Sequence, residues 1–302
     1  MGRFLLFFFL FPQSILAQNE DVSIPFIIVN NRLILKYEFN HSVLNLLLDT
    51  GSTNILDSVQ AIKIGLKVSK EVNLIPSPGG LIRAYFLNSG FVLGNLGSVN
   101  WITNFGSWKT DYSCRIDGMI GYDLLKKFKV ELDFQGGFMH LFRSNVTLSS
   151  KYHELTLVSS DFGAETAKYN SMFKLPALQG NITFDRKQSY TSNFIIDTGS
   201  KYEISFLVSD SNMLKKISKG KTKYINFSGT SMLVDYCKPQ LTICKLQRKI
   251  SGKVVIFYIP RRYPDYSDFG ERELGGMLGL PFLLRYKNVI IDLPNKKLYL
   301  KN

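Results

Sequence analysis

Residues 194–201 read FIIDTGSK: three apolar residues run straight into an aspartate, and the chain then turns at glycine. Residues 46–53, LLLDTGST, do the same in the first half of the chain. An aspartate before Thr-Gly is a good turn former by itself, because its side chain accepts from nearby backbone N–H groups. That explains either copy alone. It does not explain why both copies follow a continuous apolar run of the kind that marks a strand buried on both faces.

Working outward, the two copies sit in the same train of parts. A β-rich stretch with Asn or Gly breaks precedes each: SIPFIIVNNRLILKYEF from Ser23 and SMFKLPALQGNITF from Ser171. A short helix is expected after each. The first is DSVQAIKIG, with Asp57 or Ser58 as N-cap and Gly65 as the stop; the second is SDSNMLKKISKG, with Ser209 or Asp210 and Gly220. Gly-containing loops follow, PSPGG at 76–80 and FSGTS at 227–231. Then come DGMIGYDLL at 117–125 and GGMLGLPFL at 275–283, each leading into a strand, a turn and a strand. An internal repeat of this kind predicts two lobes of one topology, residues 18–150 and 151–302, joined near SNVTLSSK.

Duplication gives the aspartates a purpose. A strand that ends in Asp and turns sharply at Gly holds a carboxylate at the tip of a rigid element. If the lobes pack about a pseudo-two-fold axis, Asp49 and Asp197 meet. Two adjacent carboxylates resist double ionisation and share a proton. Such a pair can hold a water, deprotonate it and protonate the carbonyl that the water attacks.

The two DTGS motifs, with GMIG and GMLG behind them, resemble the pepsin and retropepsin-like aspartic protease superfamily, and most closely bacterial retropepsin-like proteins carrying two halves in one chain. The resemblance covers roughly residues 22–302. It implies a mainly β, bilobed acid-protease fold, with two homologous β-barrel-like lobes and short helices. It implies an aspartic endopeptidase with Asp49 and Asp197 as the catalytic pair, and Thr50 and Thr198 bonded across to the opposite loops. Gly51 and Gly199 complete the turns, and Ser52 and Ser200 bond the outer carboxylate oxygens. Gly79 and Gly80 are expected in a flap tip, with Tyr85 a few residues beyond as a candidate flap tyrosine. No Tyr-Gly-Thr/Ser-Gly flap motif is present, and FSGTS is the weaker of the two flap candidates. The alternative is a protease-like fold that binds peptides or cell-envelope polymers without cleaving them.

The rest of the chain narrows the setting. MGRFLLFFFLFPQSILAQ has a basic start, an apolar run and a small residue at Ala17, the grammar of a secretory signal peptide over residues 1–17. Export to a periplasm or the extracellular medium is expected, with no stable membrane span afterwards. Cys237 and Cys244 are a candidate disulfide in such a compartment, with two reduced thiols as the alternative. His41, His140 and His153 are scattered and no Cys/His spacing suits a metal, so neither metal nor cofactor is expected. The net charge of +13 raises nucleic-acid binding. No recognition motif accompanies it, so a basic surface is the expectation and nucleic acid is not an expected partner. The expected partner is a peptide or protein substrate, and the expected state a monomer whose two lobes pair within one chain.

Overall fold

The computed structural model describes residues 22–39, 41–52, 54–77, 80–92, 98–103, 114–142, 148, 150–161, 174–184, 188–208, 223–227, 230–235, 240–243, 246–249, 254–258 and 274–302. In the first half these form β1 (Val22–Val29), β2 (Arg32–Phe39), β3 (Ser42–Asp49), β4 (Ile55–Asp57), α1 (Ser58–Lys63), β5 (Val68–Ser77), β6 (Gly80–Val92) and β7 (Ser98–Thr103). They continue with β8 (Gly118–Gly121), α2 (Tyr122–Leu125), β9 (Lys129–Asp133) and β10 (Phe138–Phe142). The second half opens with β11 (His153–Thr156), β12 (Val158–Asp161), β13 (Lys174–Phe184), β14 (Gln188–Asp197), β15 (Ile204–Val208), β16 (Lys223–Phe227) and β17 (Thr230–Asp235). It ends with β18 (Gln240–Ile243), β19 (Leu246–Lys249), β20 (Val254–Tyr258), β21 (Leu274–Gly279), α3 (Leu280–Leu283), β22 (Asn288–Asp292) and β23 (Lys297–Lys301).

Strand order carries the repeat. The first half runs β2-β3-β8-β4-β7-β6-β5, and the second runs β13-β14-β21-β15-β20-β17-β16 in the matching order. Directions match as well: β3 lies parallel to β8 and β14 parallel to β21, whereas β4 and β15 run antiparallel to those same partners. The fold is mainly β, with two halves of one topology and short helices, as the repeat implies. The β18–β19 hairpin adds to the β13 edge of the second half.

One feature of the repeat differs from its sequence reading. Ser23 and Ser171 stand equally far ahead of their aspartates, yet they are not equivalent. The first four residues of β1 pair with β10 and its last four with β2. In the second half β11 pairs with β23 and β12 with β13, so the counterpart of β1 starts at His153. The reason is connection length. β1 reaches β2 through a two-residue turn at Asn30 and Asn31, both at positive φ (50° and 60°), the geometry a tight hairpin favours. β12 and β13 are separated by residues 162–173.

The central strands explain the apolar runs. Leu46, Leu47 and Leu48 on β3, and Phe194, Ile195 and Ile196 on β14, are at most 1% exposed. Each such side chain contributes roughly 2 kcal/mol by leaving water. Most of them join one contiguous core drawn from both halves, including Leu33, Leu35, Phe128, Phe206 and Phe282. Gly118 and Gly276 are required by this packing. A methyl on Gly118 would meet the Ile55 carbonyl at 2.6 Å, and one on Gly276 would meet the Phe194 ring.

The expected helix after the first aspartate forms as α1. The Asp57 carboxylate caps it by accepting from Val59 N and Gln60 N at 3.1 and 3.2 Å, and Gly65 at φ 83° follows its end. The helix expected over 209–220 lies outside the described residues.

The halves are sewn together by the run β11-β23-β22-β9-β10-β1, whose centre is the antiparallel pair β9–β22. Lys129 and Asp292 stand opposite each other there and form an ion pair at 3.3 Å, with 8% and 1% of their side chains exposed. Replacing Lys129 by Met leaves the Asp292 carboxylate buried without its cation. A loss of about 3 kcal/mol in unfolding free energy is expected, readable in a denaturant titration. An unchanged midpoint would show that Asn295, which donates to both Asp292 oxygens, satisfies that carboxylate by itself.

Candidate active site

β3 and β14 deliver Asp49 and Asp197 to the seam between the halves, and backbone rules fix each loop identically. The Asp49 Oδ1 accepts from Gly51 N at 3.0 Å, and the Asp197 Oδ1 accepts from Gly199 N at 3.0 Å. Ser52 N and Ser200 N each donate to the carbonyl of their own aspartate at 3.1 Å. These turns aim both carboxylates across the seam instead of along the strands.

Thr50 and Thr198 lock the loops to each other. Thr50 N donates to the Thr198 hydroxyl at 3.0 Å, and Thr198 N donates to the Thr50 hydroxyl at 3.1 Å. Each hydroxyl passes its own proton onward, Thr50 to the Ile196 carbonyl at 2.5 Å and Thr198 to the Leu48 carbonyl at 2.9 Å. Both side chains are 0% exposed, and every donor and acceptor in the square is used. Serine would offer the same bonds without the methyl that fills the space; valine would fill it without the bonds.

The glycines stand beneath the opposite carboxylates. A methyl built on Gly51 would lie 3.1 Å from Asp197 Cγ, and one built on Gly199 would overlap Asp49 Cγ and Oδ2. The two halves therefore approach so closely that only glycine fits the turn.

The carboxylates share a hydrogen bond. Each is half-buried by area, open to the seam and enclosed by protein elsewhere. Burial, then the negative charge and hydrogen bond of Asp197, hold the Asp49 carboxyl well above the ordinary carboxylate range. Burial raises Asp197 as well, but the hydrogen bond from Asp49, the N–H groups of Gly199 and Ser200, and Arg32 pull it back down. Both carboxyls are thus raised by burial beside each other, so the pair holds one proton between its two members.

The apolar-apolar-Gly segments form β8 and β21, paired in parallel with the catalytic strands so that Asp49 lies opposite Gly121 and Asp197 opposite Gly279. Ser52 and Ser200 have further contacts there: the Ser52 carbonyl accepts from Tyr122 N at 2.8 Å and the Ser200 carbonyl accepts from Leu280 N at 3.1 Å. The Ser200 hydroxyl accepts from Tyr202 N at 3.4 Å.

Gly80 opens β6 and pairs with Ser77 at the end of the β5–β6 hairpin, where a flap is expected. Gly79 lies outside the described residues, as do Cys237 and Cys244. Tyr85 is five positions along β6, opposite Val72 and Ile102, and packs against the main core. It belongs to the base of the hairpin, not its tip.

Two residues escaped the sequence reading. The Asn54 side chain, 3% exposed, accepts from Gly121 N at 2.8 Å and ties β8 to the first loop. Arg32, 9% exposed, donates from Nε to the Gly199 carbonyl at 3.4 Å. A polar residue beside a turn reads as solvated in sequence. The only hint is that NNRLILKY passes from the turn through Arg32 into the apolar run Leu33, Ile34 and Leu35.

No family model matches the chain, and no curated protein matches it by sequence. Among solved structures it is similar to basic 7S globulin from soybean, with 9% identity, 93% of this chain and 94% of that chain covered, and a TM-score of 0.46. It is similar to conglutin gamma, a basic 7S globulin from lupine seeds, with 11% identity, the same coverages of 93% and 94%, and a TM-score of 0.46. Both are likenesses of chain path with few shared residues.

Proposed function

We propose that this chain is an aspartic-type endopeptidase. The observation that carries the reading is the juxtaposition of Asp49 and Asp197 at the seam, each backed by the glycine of the opposite loop, with the loops bonded to each other through Thr50 and Thr198. A water between them gives a proton to the ionised carboxyl as its oxygen attacks the scissile carbonyl carbon. The protonated carboxyl gives its proton to the carbonyl oxygen, yielding a tetrahedral diol. On collapse the C–N bond breaks and the amide nitrogen takes the proton now held by the pair, while a diol hydroxyl returns its proton to the other carboxyl as the C=O bond re-forms, restoring the singly protonated pair. The chemistry draws on no metal or cofactor.

The β5–β6 hairpin is the proposed gate over the site. With both carboxylates in one chain, the working form is a monomer. An export signal over residues 1–17 would place the activity in a periplasm or outside the cell, on peptide or protein substrates.

The test is digestion of a denatured protein mixture across pH, with and without an inhibitor that mimics the tetrahedral intermediate. Cleavage blocked by that inhibitor, and indifferent to chelators and to serine- or cysteine-directed reagents, is expected. Folded protein that binds peptides and cleaves none would replace this reading with a binding role. Because catalysis needs the singly protonated pair, activity should be higher near about pH 5 than near about pH 8, falling as the pair's remaining proton leaves. A rate still rising through that range would show that the shared proton does not limit the reaction.

A further inference from the structure

We propose that Arg32 is a positioning residue for the second catalytic loop, and that its charge sets the pH window in which the Asp49–Asp197 pair works; the inference rests on the peptidase reading above.

The geometry begins at the β1–β2 turn. Asn30 and Asn31 reverse the chain in two residues, which brings the hairpin tip of the first half against the loop that follows β14 in the second. Asn31 Nδ2 donates to the Lys201 carbonyl at 3.4 Å, and Arg32 Nε donates to the Gly199 carbonyl at 3.4 Å. Gly199 is the residue that backs onto the Asp49 carboxylate, with no room for a methyl between them. Arg32 thus holds the piece of backbone that forms one wall of the pair.

The fold by itself does not ask for a cation here. Ile34 pairs with Leu47 in the first half and Ala177 with Ile195 in the second, so the position two before each is Arg32 in one half and Leu175 in the other. Leu175 is 5% exposed and forms a small apolar cluster with Ala177 and Ile195, against which Tyr122 of the first half packs. An apolar side chain fills this place at the seam in one half. A guanidinium in the other costs desolvation and is retained where opposite charge stands close.

The Asp49 carboxylate lies directly behind Gly199, whose carbonyl Arg32 holds, and the Arg32 charge favours the ionised form of both members of the pair. Lys201, on the same loop, turns its ammonium over the Tyr202 ring, 5.6 Å from the centroid. Two buried acids without a cation would both retain protons further up the pH scale, leaving less of the ionised member that accepts the water's proton. Arg32 opposes that tendency from one side only, the side of Gly199.

The experiment follows the carboxyl ¹³C signals of Asp49 and Asp197 through a pH titration of the purified protein and of three variants. R32Q keeps an N–H donor for the Gly199 carbonyl and loses the charge, R32M loses both, and R32K keeps the charge. The midpoints of the pair are expected to rise by about one pH unit in R32Q and R32M, and to stay close to the parent in R32K. The basic limb of the cleavage profile should move in the same direction. Unmoved midpoints in R32Q, or in R32M should R32Q not fold, overturn the role, as does an R32K protein that shifts as far as R32Q. The carboxyl signals do not depend on turnover. A protein that cleaves normally with unmoved midpoints therefore sinks the Arg32 role alone, whereas one that cleaves nothing at any pH sinks the peptidase reading.

Discussion

Asp49→Asn and Asp197→Asn, each alone, are expected to lower the cleavage rate by roughly ten-thousand-fold while the chain stays folded. Either amide breaks the single-proton system, because a carboxamide can neither donate an acidic proton to the carbonyl nor take one from water. The threonine square and the glycine N–H bonds hold the loops without a carboxylate charge, so the fold should survive. Stability should change in the opposite direction to activity. Asp49 is held above its unfolded value by burial and by Asp197. A group raised in the folded state stabilises it fully below the unfolded pKa, and that contribution is lost as pH rises through the folded pKa. Asn does not ionise and loses nothing over that span. The Asp49→Asn protein should therefore melt above the parent at neutral pH, with the gap closing in acid. Near-parental cleavage by Asp197→Asn would dissolve the two-lobed site, and a lower melting midpoint at neutral pH would show that the carboxyl pair is not under electrostatic strain.

Gly199→Ala should be the most damaging substitution that leaves every catalytic group in place. The added methyl overlaps the Asp49 carboxylate, a short side chain already fixed by Gly51 N and by Asp197. Relief requires the loop or the carboxylate to move by a substantial fraction of an ångström. A displacement of that size costs roughly a hundred-fold in rate, and overpacking costs about 1–3 kcal/mol in stability. Gly51→Ala meets Asp197 Cγ at 3.1 Å and should cost several-fold less in kcat/KM. Measuring both variants by steady-state kinetics and thermal melting tests the asymmetry directly. Equal losses would mean that the two loops face their opposite carboxylates symmetrically.

The sequence alone determined the repeat, because the causes of its parts are local. Apolar triplets mark β3 and β14, Asp-Thr-Gly marks the turns after them, Asp57 and Gly65 bound α1, and Gly-x-x-Gly marks the strands laid beside the catalytic ones. From duplication and elementary electrostatics, a pair of carboxyls followed. Other features were decided only by the tertiary structure. Equal spacing placed the second repeat at Ser171, but strand pairing starts it at His153, since connection length leaves no trace in local pattern. Tyr85 stands five residues along β6 from Gly80, opposite Val72 and Ile102, and register and not composition sets those neighbours. The surroundings of the carboxyl pair are drawn from opposite halves: N–H groups of its own loops, and a guanidinium from the first half that acts on both carboxyls. Arg32 is the clearest case. In sequence it is a charged residue beside a turn, and only the meeting of two lobes removes its water and supplies carboxylates and a carbonyl in exchange.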